Sequence, residues 1–342
     1  MKIALSRLGW LRYVPLLAIF CLILGCPAAK EDTKKGREVP DAETLAAKKK
    51  EILELFKEKD PEDLPKIFLE KGKQTKDDLV ARCALFELAR DYAAKGGGAD
   101  DIDHALQAVD ELAKSFDVDL LEGKRDTIGK LVESVKSSDL NYDLTNESLK
   151  LVDGAEKEKK TQQNCVESDR YDIANALLDF AEATRKKVKP SKDVSEDDIK
   201  MLEAKVAATK KKIQEMEKEF ESAKPARDTL ESKPDTKDAN LTWGKYLCTI
   251  KGDWEKGLPL LEKSEDPELA PLAKKELAKP GTGDEQVKMG DEWWGLADKE
   301  SGMARQQLKK RAVFWYKKAE SSVSGFTQER IRKCIREVEA KG

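Results

Sequence analysis

The side chains best suited to chemistry are few and scattered along the 342-residue chain. His104 is the sole histidine, so a Ser/His/Asp or Cys/His nucleophile has no base unless His104 supplies it, and a multi-histidine metal site is excluded. It sits in Ile102-Asp103-His104-Ala105-Leu106, inside an amphipathic stripe, where a partly exposed structural role is expected. Cys83, Cys165, Cys248 and Cys334 stand apart with no Cys-x-x-Cys spacing, which gives a zinc site or a redox dithiol no support. Four cysteines allow three disulfide pairings in an oxidising compartment, but Cys83, Cys248 and Cys334 have apolar neighbours and are favoured as free buried thiols. Gly96-Gly97-Gly98 lacks the Lys-Ser/Thr that follows a phosphate-binding loop and reads as a turn between helices. The 67 acidic residues offer no pair that stands out as a glycosidase couple. No nucleotide, metal or flavin is expected, and the chain is expected not to be an enzyme.

A further cysteine, Cys26, carries a different chemistry. Lys2, Arg7 and Arg12 precede an uncharged run from Tyr13 to Gly25, about thirteen residues long, where a helix spanning a bilayer needs roughly twenty. That is the profile of an export signal. Ile23-Leu24-Gly25-Cys26 resembles a bacterial lipobox, in which a diacylglyceryl group is attached to the cysteine thiol before cleavage on its amino side. The reading is a signal peptide over 1–25 and a lipid on Cys26, whose buried acyl chains at about 0.8 kcal/mol per methylene give durable anchoring. The alternatives are an ordinary cleaved signal and an uncleaved anchor. Residues 26–40 carry almost no large apolar side chain and read as a flexible tether.

The elements that would position any site are helical. Ala, Leu, Glu and Lys dominate, charged residues make up 38% and aromatics 6%, a helix-forming composition. Loss of residues 1–25 leaves 61 basic and 67 acidic side chains, a charge of −6. The signs alternate closely, as in Glu156-Lys157-Glu158-Lys159-Lys160, so there is no basic stripe for nucleic acid. Apolar spacing predicts helices from Ala42, from Asp60-Pro61, over Thr75–Ala94, after a cap at Asp100, and over Val118–Ser137, Asn141–Lys157 and Ser168–Lys187. These form an amino-terminal helical region, 41–189. Ser195, with Asp198 three residues on, starts a coiled-coil-type helix over 195–231, with a seam through Ile199, Leu202, Val206, Thr209, Ile213, Met216, Phe220 and Ala223, ended by Pro225, Pro234 and the charges between them. The seam suits either self-association with a second copy or a neighbouring helix of the same chain. Val188–Val194 and Ser232–Asp238 read as linkers.

The carboxy-terminal region, 238–342, is the most informative. Leu241, Trp243, Gly244, Tyr246 and Leu247, then Gly252-Asp253-Trp254 and Gly257-Leu258, then Leu260 and Leu261 read as helix, turn, helix. The pattern resembles the tetratricopeptide repeat, with Gly244 and Gly257 at close helix crossings and Trp254 beside the turn. A looser copy pairs Met289–Ala297 with Arg311–Ala319 across an insertion, Asp298–Lys310, and Gly290, Ala312 and Ala319 match its small positions. The block from Leu241 to Ile335 is also similar to a module of exported helical-repeat lipoproteins of planctomycete-type bacteria. The likeness rests on Lys251-Gly252-Asp253-Trp254, Gly257-Leu258-Pro259-Leu260-Leu261, Gly290-Asp291-Glu292-Trp293-Trp294, Arg311-Ala312 and Trp315-Tyr316. It implies an architecture and a lineage, and no reaction.

Five of the six tryptophans lie between Trp243 and Trp315. They serve either as core between helices or as an aromatic groove for a peptide or glycan. Trp293 and Trp294 project about 100° apart, so both are buried only if two faces are covered; Trp315 and Tyr316 pose the same question. Trp293, Trp294, Trp315 and Tyr316, with Arg311 to stack on an aromatic face, are the candidate partner-binding residues. The whole reads as an all-α, lipid-anchored protein of the bacterial cell envelope that binds another protein through helical repeats. The alternatives are a glycan-binding or glycan-active envelope protein and a self-associating structural component.

Overall fold

The computed structural model of the chain describes residues 37–154 and 164–340. The residues read as an export signal and lipobox, Cys26 among them, and most of those read as a tether lie outside the described residues. Fourteen α-helices and one π-helical segment make up the described fold, which contains no strand. They are α1 (Ala42–Leu55), α2 (Leu64–Gln74), α3 (Leu79–Gly96), α4 (Ala99–Ser115), α5 (Leu120–Ser134), α6 (Ser138–Asp153), α7 (Tyr171–Arg185), α8 (Glu196–Ser232), α9 (Lys237–Lys245), the π segment (Tyr246–Lys251), α10 (Trp254–Lys263), α11 (Leu269–Leu277), α12 (Gly283–Ala297), α13 (Gly302–Ala319) and α14 (Gly325–Glu339). Among the described residues no helix is long and apolar enough to cross a membrane.

Local chemistry sets where these helices start and stop. The carboxylates of Asp41, Asp78 and Asp119 accept the N–H groups of Thr44, Ala81 and Glu122, each N-cap stabilising its helix by about 1 kcal/mol. Ser195 and Asp198 close a reciprocal capping box at the start of α8, and Thr282 with Glu285 does so for α12. The turn after α3 is the glycine run: Gly97 takes a left-handed φ of 71°, Gly98 is the N-cap of α4, and Asp101 reaches back to accept the Gly98 N–H at 2.9 Å. Asp100, the residue expected to cap α4, is instead inside its first turn.

Three hydrophobic cores follow the chain. The first joins α1 to α4 around Phe68 and Phe86. The second runs from the end of α3 through α5, α6, α7 and α8 to Tyr246 and Leu247. The third holds α10 to α14 around Trp293 and Tyr316. In α8, Leu202, Val206, Thr209, Ile213, Met216, Phe220 and Ala223 are all buried, and Ile199 packs against the same core. The seam that a second copy would need is thus occupied by the chain's own α6, α7 and α9. Pro225 does not end α8, which continues to Ser232. The ring is exposed, and the last two turns are held by Arg227 lying over Phe220 and Trp243, at 5.5 and 5.9 Å from the ring centroids.

The small residues singled out in the carboxy-terminal region sit at close crossings. A methyl group on Gly257 would overlap Cys248 Sγ and lie 3.1 Å from the Gly244 carbonyl oxygen, and one on Gly244 would press on Leu261. Gly290 lies against the Tyr316 ring, where an added Cβ would come within 2.5 Å of Cε1 and 3.1 Å of the Ala312 carbonyl oxygen. The stretch expected as an insertion is largely helical, since α13 begins at Gly302 and Leu308 is buried.

Candidate partner-binding groove

The five aromatic and basic residues picked from the sequence fall into two settings. Trp293 has no exposed surface, and Trp315 and Tyr316 are buried as well. These three are core residues, because α13 packs against α12, α14 and the π segment, and α12 against α13 and α11. Trp254 meets Trp293 edge-on with ring centroids 5.1 Å apart. The Trp293 indole N–H donates to one carboxylate oxygen of buried Glu276, and Arg311 pairs with the other. Arg311 lies 5.0 Å from the Trp254 ring centroid and 4.4 Å from that of Phe314, so it does stack on aromatic faces, one in the core and one at the surface. The Tyr316 hydroxyl donates to Asp291 at 2.8 Å, and Arg330 donates to both oxygens of that carboxylate. Burial pushes the Tyr316 phenol well above its ordinary range, which keeps it a donor.

Trp294 is half-buried, and Lys309 Nζ sits 4.2 Å over its ring. The exposed aromatic residues of the region are Phe314 and Phe326, neither of which stood out in the sequence. All four described cysteines are free. Burial pushes the thiols of Cys83 and Cys165 up to about 12 and raises that of Cys248 further, so they act as small apolar side chains. His104 is half-buried on α4. Among the described residues no group of three or more His, Cys, Asp or Glu side chains is placed to hold a metal ion.

The concave feature is elsewhere. A cleft of about 940 Å³ opens between the long helix and the carboxy-terminal hairpins. One wall is α8, through Glu215, Lys218, Glu219, Ser222 and Ala223, spaced at three and four residues along one helical face. The facing wall is α9 with the π segment, through Leu241, Thr242, Lys245, Tyr246, Thr249 and Ile250. The far end is closed by Asp266–Leu269, by Leu296 and Glu300, and by Ser301–Ala304 with Leu308. A shallower recess of about 410 Å³ lies beside it between α11 and α12, and the two share Pro267, Glu268 and Leu296. None of the five described tryptophans lines either; Tyr246 is the aromatic residue on the wall.

No family model, curated protein or solved structure matches this chain. Its own geometry must therefore carry the functional reading.

The position of the cleft is fixed by a polar lock behind it. The Tyr246 hydroxyl donates to Asp169 at 2.8 Å and lies 2.9 Å from the Tyr171 hydroxyl. Lys251 donates to the same Asp169 oxygen at 2.9 Å and to the Glu167 carbonyl at 2.9 Å. Burial raises the Tyr171 phenol to about 12 and that of Tyr246 beyond it, so both stay neutral hydroxyls. Phe220 packs on Tyr171, Trp243 and Tyr246 with centroids 5.3 to 6.4 Å apart. Asp169 adopts a left-handed φ of 55°, a conformation uncommon outside glycine though Asp tolerates it better than most; here it aims the carboxylate at both partners. The lock ties the loop before α7 to the π segment, which forms part of the cleft wall.

Proposed function

We propose that this protein is a lipid-anchored envelope protein that acts without catalysis, holding another protein in the cleft between α8 and the carboxy-terminal helices. The observation that supports this most directly is the cleft itself. Its walls are largely helical, with apolar floor residues Leu241, Ile250, Leu296 and Met303 half-buried, the form a helical-repeat protein presents to a partner. The lipobox-like Ile23-Leu24-Gly25-Cys26 supports the address, and the alternating charge of the surface supports a role away from nucleic acid. The resemblance to exported lipoproteins of planctomycete-type bacteria fits the same reading. The tryptophans give little support to the glycan alternative, since a sugar-stacking platform needs open aromatic faces and Trp293 and Trp315 are in the core.

The test combines address and binding in the full chain. Cys26→Ala is expected to abolish incorporation of radiolabelled fatty acid and to move the protein out of the membrane fraction. A photo-crosslinking residue at Met303, on the cleft wall, is expected to trap one protein species in intact cells, whereas the same residue at exposed Met201 on α8 is not. Fatty-acid labelling unchanged by Cys26→Ala would refute the anchor, and no crosslink at Met303 would refute the cleft.

A further inference from the structure

Resting on that reading, we propose that the occupant of the cleft is a short amphipathic helix of the partner, apolar on the face it inserts and carrying Lys or Arg along its flanks. Shape comes first. The two walls are neighbouring helical surfaces, α8 and α9 with the π segment, and a third helix lies readily along the groove between two such ridged surfaces. A helix with side chains is roughly 10 Å across and rises 1.5 Å per residue, so a cleft of about 940 Å³ takes roughly two turns of it. A bound helix also satisfies its own backbone, which matters where Leu241, Ile250 and Leu296 offer no hydrogen bonds.

Charge selects the flanks. The lining has five carboxylates, Glu215, Glu219, Asp266, Glu268 and Glu300, against two amines, Lys218 and Lys245. Glu268 is neutralised by Lys299, and Glu215 has only a 4.0 Å contact with Lys211. The Asp266 carboxylate accepts the N–H groups of Glu268 and Leu269. Glu219 and Glu300 stand on opposite sides of the cleft, both exposed, with no cationic partner among the described residues. An apolar segment flanked by Lys or Arg would supply the missing counter-charges on both sides, and an acid-flanked one would be repelled.

Gly295 leaves open space beside the cleft. It lies inside α12, where glycine costs about 1 kcal/mol relative to alanine, and an added Cβ would meet nothing within 4 Å. Gly290, on the same helix, is explained by Tyr316; Gly295 has no such internal reason. It lines the recess that adjoins the cleft, where its bare backbone leaves room for a flank side chain of the bound helix.

The experiment uses the full chain in detergent and fluorescence anisotropy of two labelled synthetic peptides, identical on a leucine face and flanked by Lys in one and by Glu in the other. The Lys peptide is expected to bind about tenfold tighter than the Glu peptide, with the margin shrinking as salt rises. Reversing both charges, Glu219→Lys with Glu300→Lys, should erase that margin, while the same reversal at Glu43 on α1 and at Glu58 in the turn after it should leave it intact. Gly295→Leu should weaken the Lys peptide several-fold without lowering the unfolding midpoint. Equal binding of both peptides, or an unchanged margin in the Glu219/Glu300 variant, would overturn the proposal. If a protein crosslinks at Met303 but its trapped segment lacks basic flanks, the binding reading stands and this inference fails; if neither crosslink nor peptide binding occurs, both fail.

Discussion

The closest packing in the carboxy-terminal region offers a sharp energetic test. Gly257→Ala places a methyl closer than 3.0 Å to Cys248 Sγ, with the Gly244 carbonyl oxygen at 3.1 Å and the Cys248 amide nitrogen at 3.2 Å. Overpacking of this kind costs roughly 1–3 kcal/mol, partly offset by about 1 kcal/mol from replacing a helical glycine. The single variant should therefore lose up to about 2 kcal/mol. Cys248→Ala alone should also destabilise, by about 1 kcal/mol, since the sulfur is fully buried and leaves a small void. Combined, the new methyl enters the space the sulfur vacates, and only backbone contacts that yield by tenths of an ångström remain. The double variant should then be more stable than the sum of the singles by about 1–2 kcal/mol, well outside the ~0.5 kcal/mol scatter of independent sites. Urea titrations followed by tryptophan emission would report this, because the described tryptophans all lie in this part of the chain. Additive losses would refute the close crossing of α10 on the π segment.

Removing Glu276 as Glu276→Leu should cost about 3–5 kcal/mol, because it strands the Arg311 charge and the Trp293 indole N–H in the core; a thermal melt in which it matches Glu276→Gln would contradict this. Iodoacetamide should label half-buried Cys334 first and reach Cys83, Cys165 and Cys248 only on unfolding, as read by peptide mass mapping. Asp91 and Asp143 should show opposite pH signatures. Burial works against the Asp91 carboxylate, but Arg90 and Lys130 outweigh it and hold its pKa below 3.8; its stabilisation is present above the unfolded value and lost as pH falls through the folded one, so Asp91→Asn should hurt at pH 7 and become neutral in acid. Burial and the nearby Asp139 and Glu147 raise Asp143, so Asp143→Asn should stabilise at pH 7, with the gain fading as pH falls through the raised folded value and gone below the unfolded value of about 4.

Much of the fold was legible because helices announce themselves locally. Apolar stripes, the Ser195–Asp198 and Gly96–Gly98 punctuation and the glycines at close crossings each depend on residues a few positions apart. The misreadings share a cause. Pro225 reads as a stop, but its exposed ring leaves α8 to be decided by Phe220 and Trp243, whose contacts with Arg227 hold the turns beyond it. The helix α11 is only nine residues with Pro271 in its first turn, too short for a periodic signal, and its buried Glu276 looks like a surface residue until Trp293 and Arg311 arrive from other helices. The cleft was invisible for the same reason. Its walls come from residues 215–223, 241–250 and 296–308, and the seam of α8 advertises only the face that is buried, leaving Glu215 and Glu219 on the other looking like ordinary solvated charge.

The entry of the chain into the body has a mechanical meaning. At Arg37 the backbone pairs with the segment after α4, and its carbonyl oxygen accepts the Asp117 N–H at 2.7 Å. Tension applied to the leading segment enters the core of α1 to α4 by this bridge, and the cleft, built from α8 onward, is reached only after the load has crossed a second core. A pull from the amino-terminal side should peel α1 and α2 away first, so those helices would serve as a strain relief that yields while the cleft stays in shape.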